Sequence, residues 1–210
     1  MGLFLYLCDI ENTITYFNPL KMKNEELKLR DVIFSLHTRK FGNVVEKLVE
    51  TILIEFGFIV KKSTDLSYDR QINSSNDEIK GSRVLGKSVL NLENENIIES
   101  LFSHDTNRFV NIENSSETEW DCNIQQIKLE LFNTLWYVLF FGDCVAVFKI
   151  ERDNISNDKN ISYSNKQHRG NEGEGQFHVT NKNIKYHLDN FLVKTITYNE
   201  VYNKLNEKNK

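Results

Sequence analysis

Three polar residues close together in the chain have the types needed for metal-dependent chemistry. Asp69, Glu78 and Lys80 lie in the segment Leu66–Leu85, which has the pattern of two strands joined by the polar turn NSSN. Because side chains alternate along a strand, Glu78 and Lys80 share a face and Ile79 points to the other face. If the two strands pair, we expect Asp69 to lie beside Glu78.

Two neighbouring carboxylates favour a bound divalent cation. At a separation of about 4 Å they repel each other by roughly 4 kcal/mol at an effective dielectric of 20, and a cation removes that cost. Oxygen ligands with partial hydration suit Mg²⁺, with Mn²⁺ as a substitute. Beside such an ion, the ammonium of Lys80 can orient a water molecule or stabilise negative charge that develops at phosphorus.

The spacing of these residues is similar to a known nuclease motif. An aspartate, eight further residues and then Glu-x-Lys resembles the PD-(D/E)xK pattern, although Tyr68 stands where the full motif has proline. The segment EIKGSRVL resembles the second catalytic strand of type II restriction endonucleases. A hairpin with ordinary surface charges would also match so short a pattern.

The resemblance implies a fold and a role for each residue. It implies an α/β fold with a mixed central sheet flanked by helices and a catalytic hairpin at the open end of the sheet. It further implies that Asp69 and Glu78 bind Mg²⁺, with the Ile79 carbonyl as a candidate third ligand, and that Lys80 positions the attacking water.

The same resemblance implies the reaction and the partners. We expect hydrolysis of double-stranded DNA to 5′-phosphate and 3′-hydroxyl ends by a homodimer, with a cognate DNA methyltransferase as genetic partner. Two alternatives stay open. One is a nuclease of the same superfamily that acts in repair or junction resolution, and the other is a non-catalytic module that binds DNA or regulates a partner.

The composition limits the number of domains and the class of protein that this chain can form. The chain has 210 residues, 40% of them hydrophobic, which is enough for one domain with a core. Its net charge of −4 does not favour non-specific coating of nucleic acid. The three cysteines, Cys8, Cys122 and Cys144, have no zinc-site spacing and favour a reducing, cytoplasmic location. The apolar opening MGLFLYLCDI is too short for a membrane span.

The segment from Asn24 to Phe58 is predicted to be helical. Its apolar stripe comprises Phe41, Val45, Leu48, Ile52 and Phe56, and Gly57 ends it. Glu46 lies on the flank of this stripe. The sequence KFGNVVEKLVE resembles the helix that precedes the catalytic hairpin in restriction endonucleases, which implies that Glu46 faces the metal site. A solvated helix glutamate is the alternative.

The rest of the chain is assigned from its hydrophobic pattern. A strand is predicted over TEWDCNIQQIK, a helix over LELFNTLWYVLFF and a strand over GDCVAVFKI. We expect one nuclease domain in four parts: an N-terminal extension or helix at 1–38, a catalytic core at 39–150, a polar loop at 151–186 and a helical cap at 187–210.

The polar loop is predicted to contact DNA. Asn and Gln pair with adenine edges, and basic side chains meet phosphate. The predicted DNA contacts within the loop and outside it are Arg83, Gln126, Lys128, Lys166, His168, Arg169, Asn171, Gln176, His178, Asn181, Lys182 and Asn183. An inert Asn-rich insertion is the alternative for this loop.

Overall fold

A computed structural model describes residues 24–64, 68–87, 97–98, 108–166 and 172–207. Its helices are α1 (Asn24–Ser35), α2 (Thr38–Glu55), α3 (Arg152–Asn157), α4 (Ile184–Asn190) and α5 (Tyr198–Glu207). Its strands are β1 (Val60–Lys62), β2 (Arg70–Ile72), β3 (Ser75–Arg83), β4 (Asp121–Ile127), β5 (Thr134–Phe140), β6 (Cys144–Glu151), β7 (Ser164–Lys166), β8 (Glu172–Thr180) and β9 (Leu192–Thr197). The N-terminal extension up to residue 23, with Cys8, lies outside the described residues.

The central sheet has six strands in the order β1-β2-β3-β5-β6-β9. Strands β3 and β5 are parallel, and the other neighbouring pairs are antiparallel. Helix α2 packs on one face of this sheet and on α5, which also contacts α1. The predicted α/β class with a mixed central sheet flanked by helices is therefore confirmed.

A second, three-stranded antiparallel sheet has the order β4-β8-β7. Two buried clusters divide the core between the layers. The intersheet core joins β5 and β6 to β4 and β8 through residues such as Tyr137, Phe148, Ile124 and Phe177. The helix-side core joins the opposite face of the central sheet to α2 and α5. The central sheet is thus buried on both faces.

The helix predicted over LELFNTLWYVLFF is wrong, because Thr134–Phe140 is strand β5. All seven residues of β5 are buried. Leu135 and Tyr137 belong to the intersheet core, whereas Trp136 and Val138 belong to the helix-side core. A strand that is buried on both faces has no polar alternation, and its apolar run cannot be told from a buried helix by periodicity.

The segment 151–186, predicted as a polar loop, is largely regular structure. It contains α3, β7, β8 and the start of α4. Its few apolar residues are the ones that anchor it, since Ile155, Phe177 and Val179 are fully buried in the intersheet core. The prediction of a loop was wrong because a small sheet with only one buried face needs few aliphatic residues, so a polar sequence can still form strands.

The helical segment predicted from Asn24 to Phe58 divides into α1 and α2. The stripe is buried through Ile52, but Phe56 is 44% exposed because it caps the end of α2 and no longer faces the sheet. Gly57 follows with a φ of +81°. The segment 187–210, predicted as a helical cap, also contributes a strand to the central sheet, since its described part comprises the end of α4, β9 and α5. None of the described helices is long and apolar enough to cross a membrane.

Helix α2 approaches β3 closely at a glycine. A Cβ atom added to Gly81 would lie 2.6 Å from Cγ2 of Val45. Val45 is 1% exposed and stands next to Glu46 on α2. The missing side chain at Gly81 therefore lets α2 lie close against the strand that carries Glu78 and Lys80.

Gly81→Ala should lower the free energy of unfolding by roughly 1–3 kcal/mol, because the added methyl group overlaps Val45. In a Val45→Ala background the same substitution should cost about 1 kcal/mol less. Urea denaturation of the four proteins measures this coupling. Gly42→Ala on α2 is the matched control, since a Cβ there meets nothing within 4 Å. Equal costs of Gly81→Ala in both backgrounds would contradict the packing argument.

A buried histidine makes the intersheet core sensitive to acid. His187 of α4 is fully buried, its Nδ1 lies 2.7 Å from the hydroxyl of Tyr137, and its ring stacks on Phe177. Burial lowers the pKa of His187 to about 4. The folded protein therefore keeps this ring neutral at a pH where the unfolded chain protonates it.

Between pH 6.5 and about 4, the unfolded chain binds a proton at His187 that the folded chain does not. The free energy of unfolding should therefore fall as the pH falls through this window, with on the order of 3 kcal/mol from this residue. Urea denaturation at pH 7 and pH 5 should show a smaller loss for His187→Gln than for the unmodified protein. An identical loss in the two proteins would refute this assignment.

Candidate active site

The hairpin of β2 and β3 brings Asp69 to Glu78. Arg70 pairs with Asp77, so Asp69, one residue before β2, comes level with Glu78. The turn is two residues long rather than the predicted four, and Asn73 and Ser74 have φ of +46° and +73°. Both values lie in the left-handed region that short hairpin turns require.

A backbone hydrogen bond fixes the orientation of the Asp69 side chain. The Ile79 N–H donates to Oδ2 of Asp69 at 2.9 Å. The carboxylate therefore reaches across the hairpin to the strand that carries Glu78 and Lys80. This hydrogen bond occupies Oδ2 and leaves Oδ1 of Asp69 for another ligand.

Asp69, Glu78 and Lys80 line one cavity of about 200 Å³ together with residues of the second sheet. Glu78 and Lys80 share the face of β3 that looks toward the second sheet, because Glu78 is in register with Leu135 of the intersheet core. The complete lining is Asp69, Glu78, Lys80, Gln126, Lys128, Phe132 and Glu174. Two carboxylates and a lysine from β3 and its hairpin therefore face two polar residues near the end of β4.

Burial and neighbouring charges both shift the pKa of the Glu78 carboxyl group. Burial raises its pKa, and the negative charges of Asp69 and Glu46 add to the rise, while the Lys80 ammonium opposes it. Lys80 Nζ forms an ion pair and hydrogen bond with Oε1 of Glu78. The Lys80 ammonium thus offsets part of the repulsion between the carboxylates of Glu78 and Asp69.

Glu46 lies beside the cavity without lining it. Its Oε2 is 3.2 Å from Nη1 of Arg70, a buried arginine that also contacts Glu50 of α2 at 3.3 Å and donates to the Asp69 carbonyl at 2.7 Å. Burial raises the pKa of Glu46, and the charge of Asp69 raises it further. Arg70 therefore ties α2 to the hairpin and keeps Glu46 within electrostatic range of Asp69.

The donor atoms in the cavity fit a hard divalent cation. Both acids present carboxylate oxygens, and the repulsion that raises the pKa of Glu78 is one that a bound cation would relieve. Within the described residues, no group of three or more His, Cys, Asp or Glu side chains is arranged to hold a metal. Asp69 and Glu78 would supply side-chain ligands, and a backbone carbonyl, water and phosphate would complete the shell.

Gln126 reaches the cavity through a break in the register of β4. The residues Trp120, Cys122 and Ile124 are buried as the predicted alternation requires, but the next buried residue is Ile127 rather than Gln126. Gln126 has a φ of +61°, and the pairing with β8 shifts between Gln125 and Ile127. This bulge turns Gln126 and Lys128 toward the cavity.

Gln126→Gly should leave the free energy of unfolding unchanged or raise it by up to about 1 kcal/mol, because glycine adopts a positive φ without steric cost. Gln126→Val should lower it by about 1 kcal/mol or more, since a β-branched side chain is strained there. Urea denaturation of both variants tests this. The opposite order of stability would show that the bulge is not a positive-φ position.

The other predicted DNA-contacting residues fall into three groups. Arg83 lies away from the cavity, where its Nη1 donates to the carbonyls of Phe34 and Leu36 at 2.6 and 2.8 Å and its guanidinium covers the Phe41 ring. Asn183 is committed to the turn after β8, since its Oδ1 accepts from Thr180 N at 2.7 Å. The predicted residues His168, Arg169 and Asn171 lie outside the described residues.

The remaining candidates stay on or near the second sheet. Lys166 is on β7, Gln176 and His178 are on β8, and Asn181 and Lys182 follow β8. Lys128, at the cavity, forms an ion pair with Glu174 of β8 at 3.1 Å.

Asn123, Gln125 and Glu174 were not among the site residues predicted from the sequence. The alternation in β4 signals that Asn123 and Gln125 share the outer face, but only the pairing of β4 with β8 brings them beside Gln176 and His178. Glu174 reaches the cavity because Gly175 pairs with Ile127 across the bulge. No local pattern encodes that pairing.

A comparison with family models, curated proteins and solved structures finds no match to this chain. The geometry of the site and the motif in its hairpin are therefore the features that bear on function.

Proposed function

We propose that this chain is a Mg²⁺-dependent, sequence-specific endonuclease of double-stranded DNA, of the type II restriction kind. The observation that carries the proposal is the shared cavity of Asp69, Glu78 and Lys80, formed by a hairpin in a mixed α/β sheet. This is the arrangement that the resemblance to the PD-(D/E)xK motif implies. The lining is polar except for Phe132.

In this proposal each residue of the cavity has a distinct task. Asp69 and Glu78 would hold Mg²⁺, with the Ile79 carbonyl as a third protein ligand. When bound there, Mg²⁺ would supply Lewis-acid polarisation of the phosphate and lower the pKa of a water ligand. Lys80 orients the attacking water and stabilises negative charge at phosphorus. Glu46, held by Arg70, adds negative potential beside Asp69 and strengthens cation binding.

The reaction is hydrolysis of one phosphodiester bond in each strand. The water oxygen forms a bond to phosphorus, the bond from phosphorus to the 3′ oxygen breaks, and that oxygen takes up a proton. The products are a 5′-phosphate and a 3′-hydroxyl. Lys128 is placed to exchange its ion pair with Glu174 for a phosphate of the substrate.

The proposal extends to partners. A two-fold homodimer would present two such cavities to the two strands of a palindromic site. A DNA methyltransferase of matching specificity would protect the host genome. Both are proposals that follow from the restriction role.

Lys80→Ala and Asp69→Asn should each reduce cleavage of supercoiled plasmid in Mg²⁺ by at least about 100-fold, because each removes a group from the reacting centre. The measurement is the single-turnover rate of conversion to linear DNA. Lys87→Ala is the matched control, since Lys87 is exposed and pairs with Glu119 outside the cavity. It should cut at the rate of the unmodified protein.

The pattern of products separates the candidate functions. Discrete fragments with 5′-phosphate ends support the restriction reading, and a smear or structure-selective cutting of four-way junctions favours a repair or junction-resolving nuclease. DNA binding without cutting, unchanged in Lys80→Ala, would support a non-catalytic module. Calorimetric titration with Mg²⁺ in the absence of DNA should show binding that Asp69→Asn weakens, and equal binding would refute the metal assignment.

A further inference from the structure

The outer face of the three-stranded sheet, turned away from the intersheet core, carries a row of amide and imidazole side chains. We call Asn123 and Gln125 of β4 with Gln176 and His178 of β8 the amide face. Gln125 is in register with Gln176, and Asn123 is in register with His178. The residues between them, such as Ile124 and Phe177, are buried in the intersheet core. The four side chains therefore form a two-by-two patch on one surface.

The patch is pre-organised by hydrogen bonds between its strands. Asn123 Nδ2 donates to Oε1 of Gln176 at 2.8 Å, and Nδ1 of His178 lies 2.7 Å from Oδ1 of Asp121. Gln125 is exposed, and no described residue hydrogen-bonds to its amide. One amide is thus available for a ligand while its neighbours are held in place.

The charge of the surface argues against a phosphate-binding role for the patch itself. The outward residues of β4 and β8 include Asp121 and Glu174 and no lysine or arginine. The basic residues lie around the patch instead: Lys80 and Lys128 at the cavity, Lys166 on β7 and Lys182 after β8. Amides that offer a donor and an acceptor together fit the edges of bases, whereas phosphates take the flanking cations.

The patch is continuous with the cavity along β8. Glu174 lines the cavity, Gln176 follows two residues later on the same face, and His178 follows two residues after that. Two residues of a strand span about 6.8 Å, which equals about two base-pair steps of B-DNA. A two-stranded ribbon also fits the major groove, which is about 12 Å wide.

We propose that the amide face reads base edges in the major groove within about four base pairs of the cleaved phosphate, and that Gln125 selects adenine there. This inference rests on the proposed endonuclease function and names its recognition surface. The chemistry is the bidentate pairing of a glutamine amide with N6 and N7 of adenine. Asn123, Gln176 and His178 orient the ribbon around it.

The test is selection of bound duplexes from a randomised DNA pool, in Ca²⁺ so that binding is recorded without reliance on cleavage. The unmodified protein should enrich a motif that contains adenine. Gln125→Ala should lose roughly 10- to 100-fold of the preference at one adenine position and keep the rest of the motif. Gln125→Glu should move that position toward cytosine, because a carboxylate accepts from the cytosine amine.

Asn157→Ala, an exposed amide on α3 outside the patch, is the matched control and should select the unchanged motif. Thermal unfolding of all variants confirms that they are folded. An unchanged motif in Gln125→Ala, no base preference in the unmodified protein, or selection of single-stranded DNA or RNA in place of the duplex would overturn the proposal. A motif without cleavage in Mg²⁺ would support the amide face and refute the endonuclease function, so the two failures are distinguishable.

Discussion

The site depends on strand β3, which has one face in the apolar helix-side core and the other face in the polar cavity. On one face of β3, Ile79 packs in the helix-side core and Gly81 gives α2 room to approach. On the other face, Glu78 and Lys80 point into a polar cavity. The apolar face of β3 fixes the position of the strand by burial, and this rigidity allows two acids to be held together despite their repulsion.

The surrounding contacts extend this constraint to the neighbours of the strand. The N–H of Ile79 orients Asp69, and Arg70 joins the Asp69 carbonyl to Glu46 on α2. Asp69 and Glu46 are thereby held by a backbone donor and an arginine donor that belong to the packed part of the fold. Hydrogen bonds and the Lys80 ammonium offset the repulsion among these carboxylates, and exposure to water does not have to do so.

The second sheet gives the cavity its other wall and its connection to an outer surface. A bulge at Gln126 lets β4 bury Ile127 while it delivers Gln126 and Lys128 to the cavity. The same two strands carry the amide face outward from that point. The chemistry of the cavity and the selection of a substrate would therefore be built on one rigid ribbon, which keeps their spacing fixed.

The sequence by itself determined the elements with a local signal. Alternation identified β4, the apolar stripe identified the buried face of α2, and the spacing of Asp69, Glu78 and Lys80 identified the hairpin that carries them. Only the tertiary structure decided that Thr134–Phe140 is a strand, that the polar segment builds a sheet, and that Glu174, Gln126 and Lys128 meet the hairpin. The physical reason is that burial on both faces removes periodicity from β5, and pairing between distant strands leaves no trace in the residues nearby.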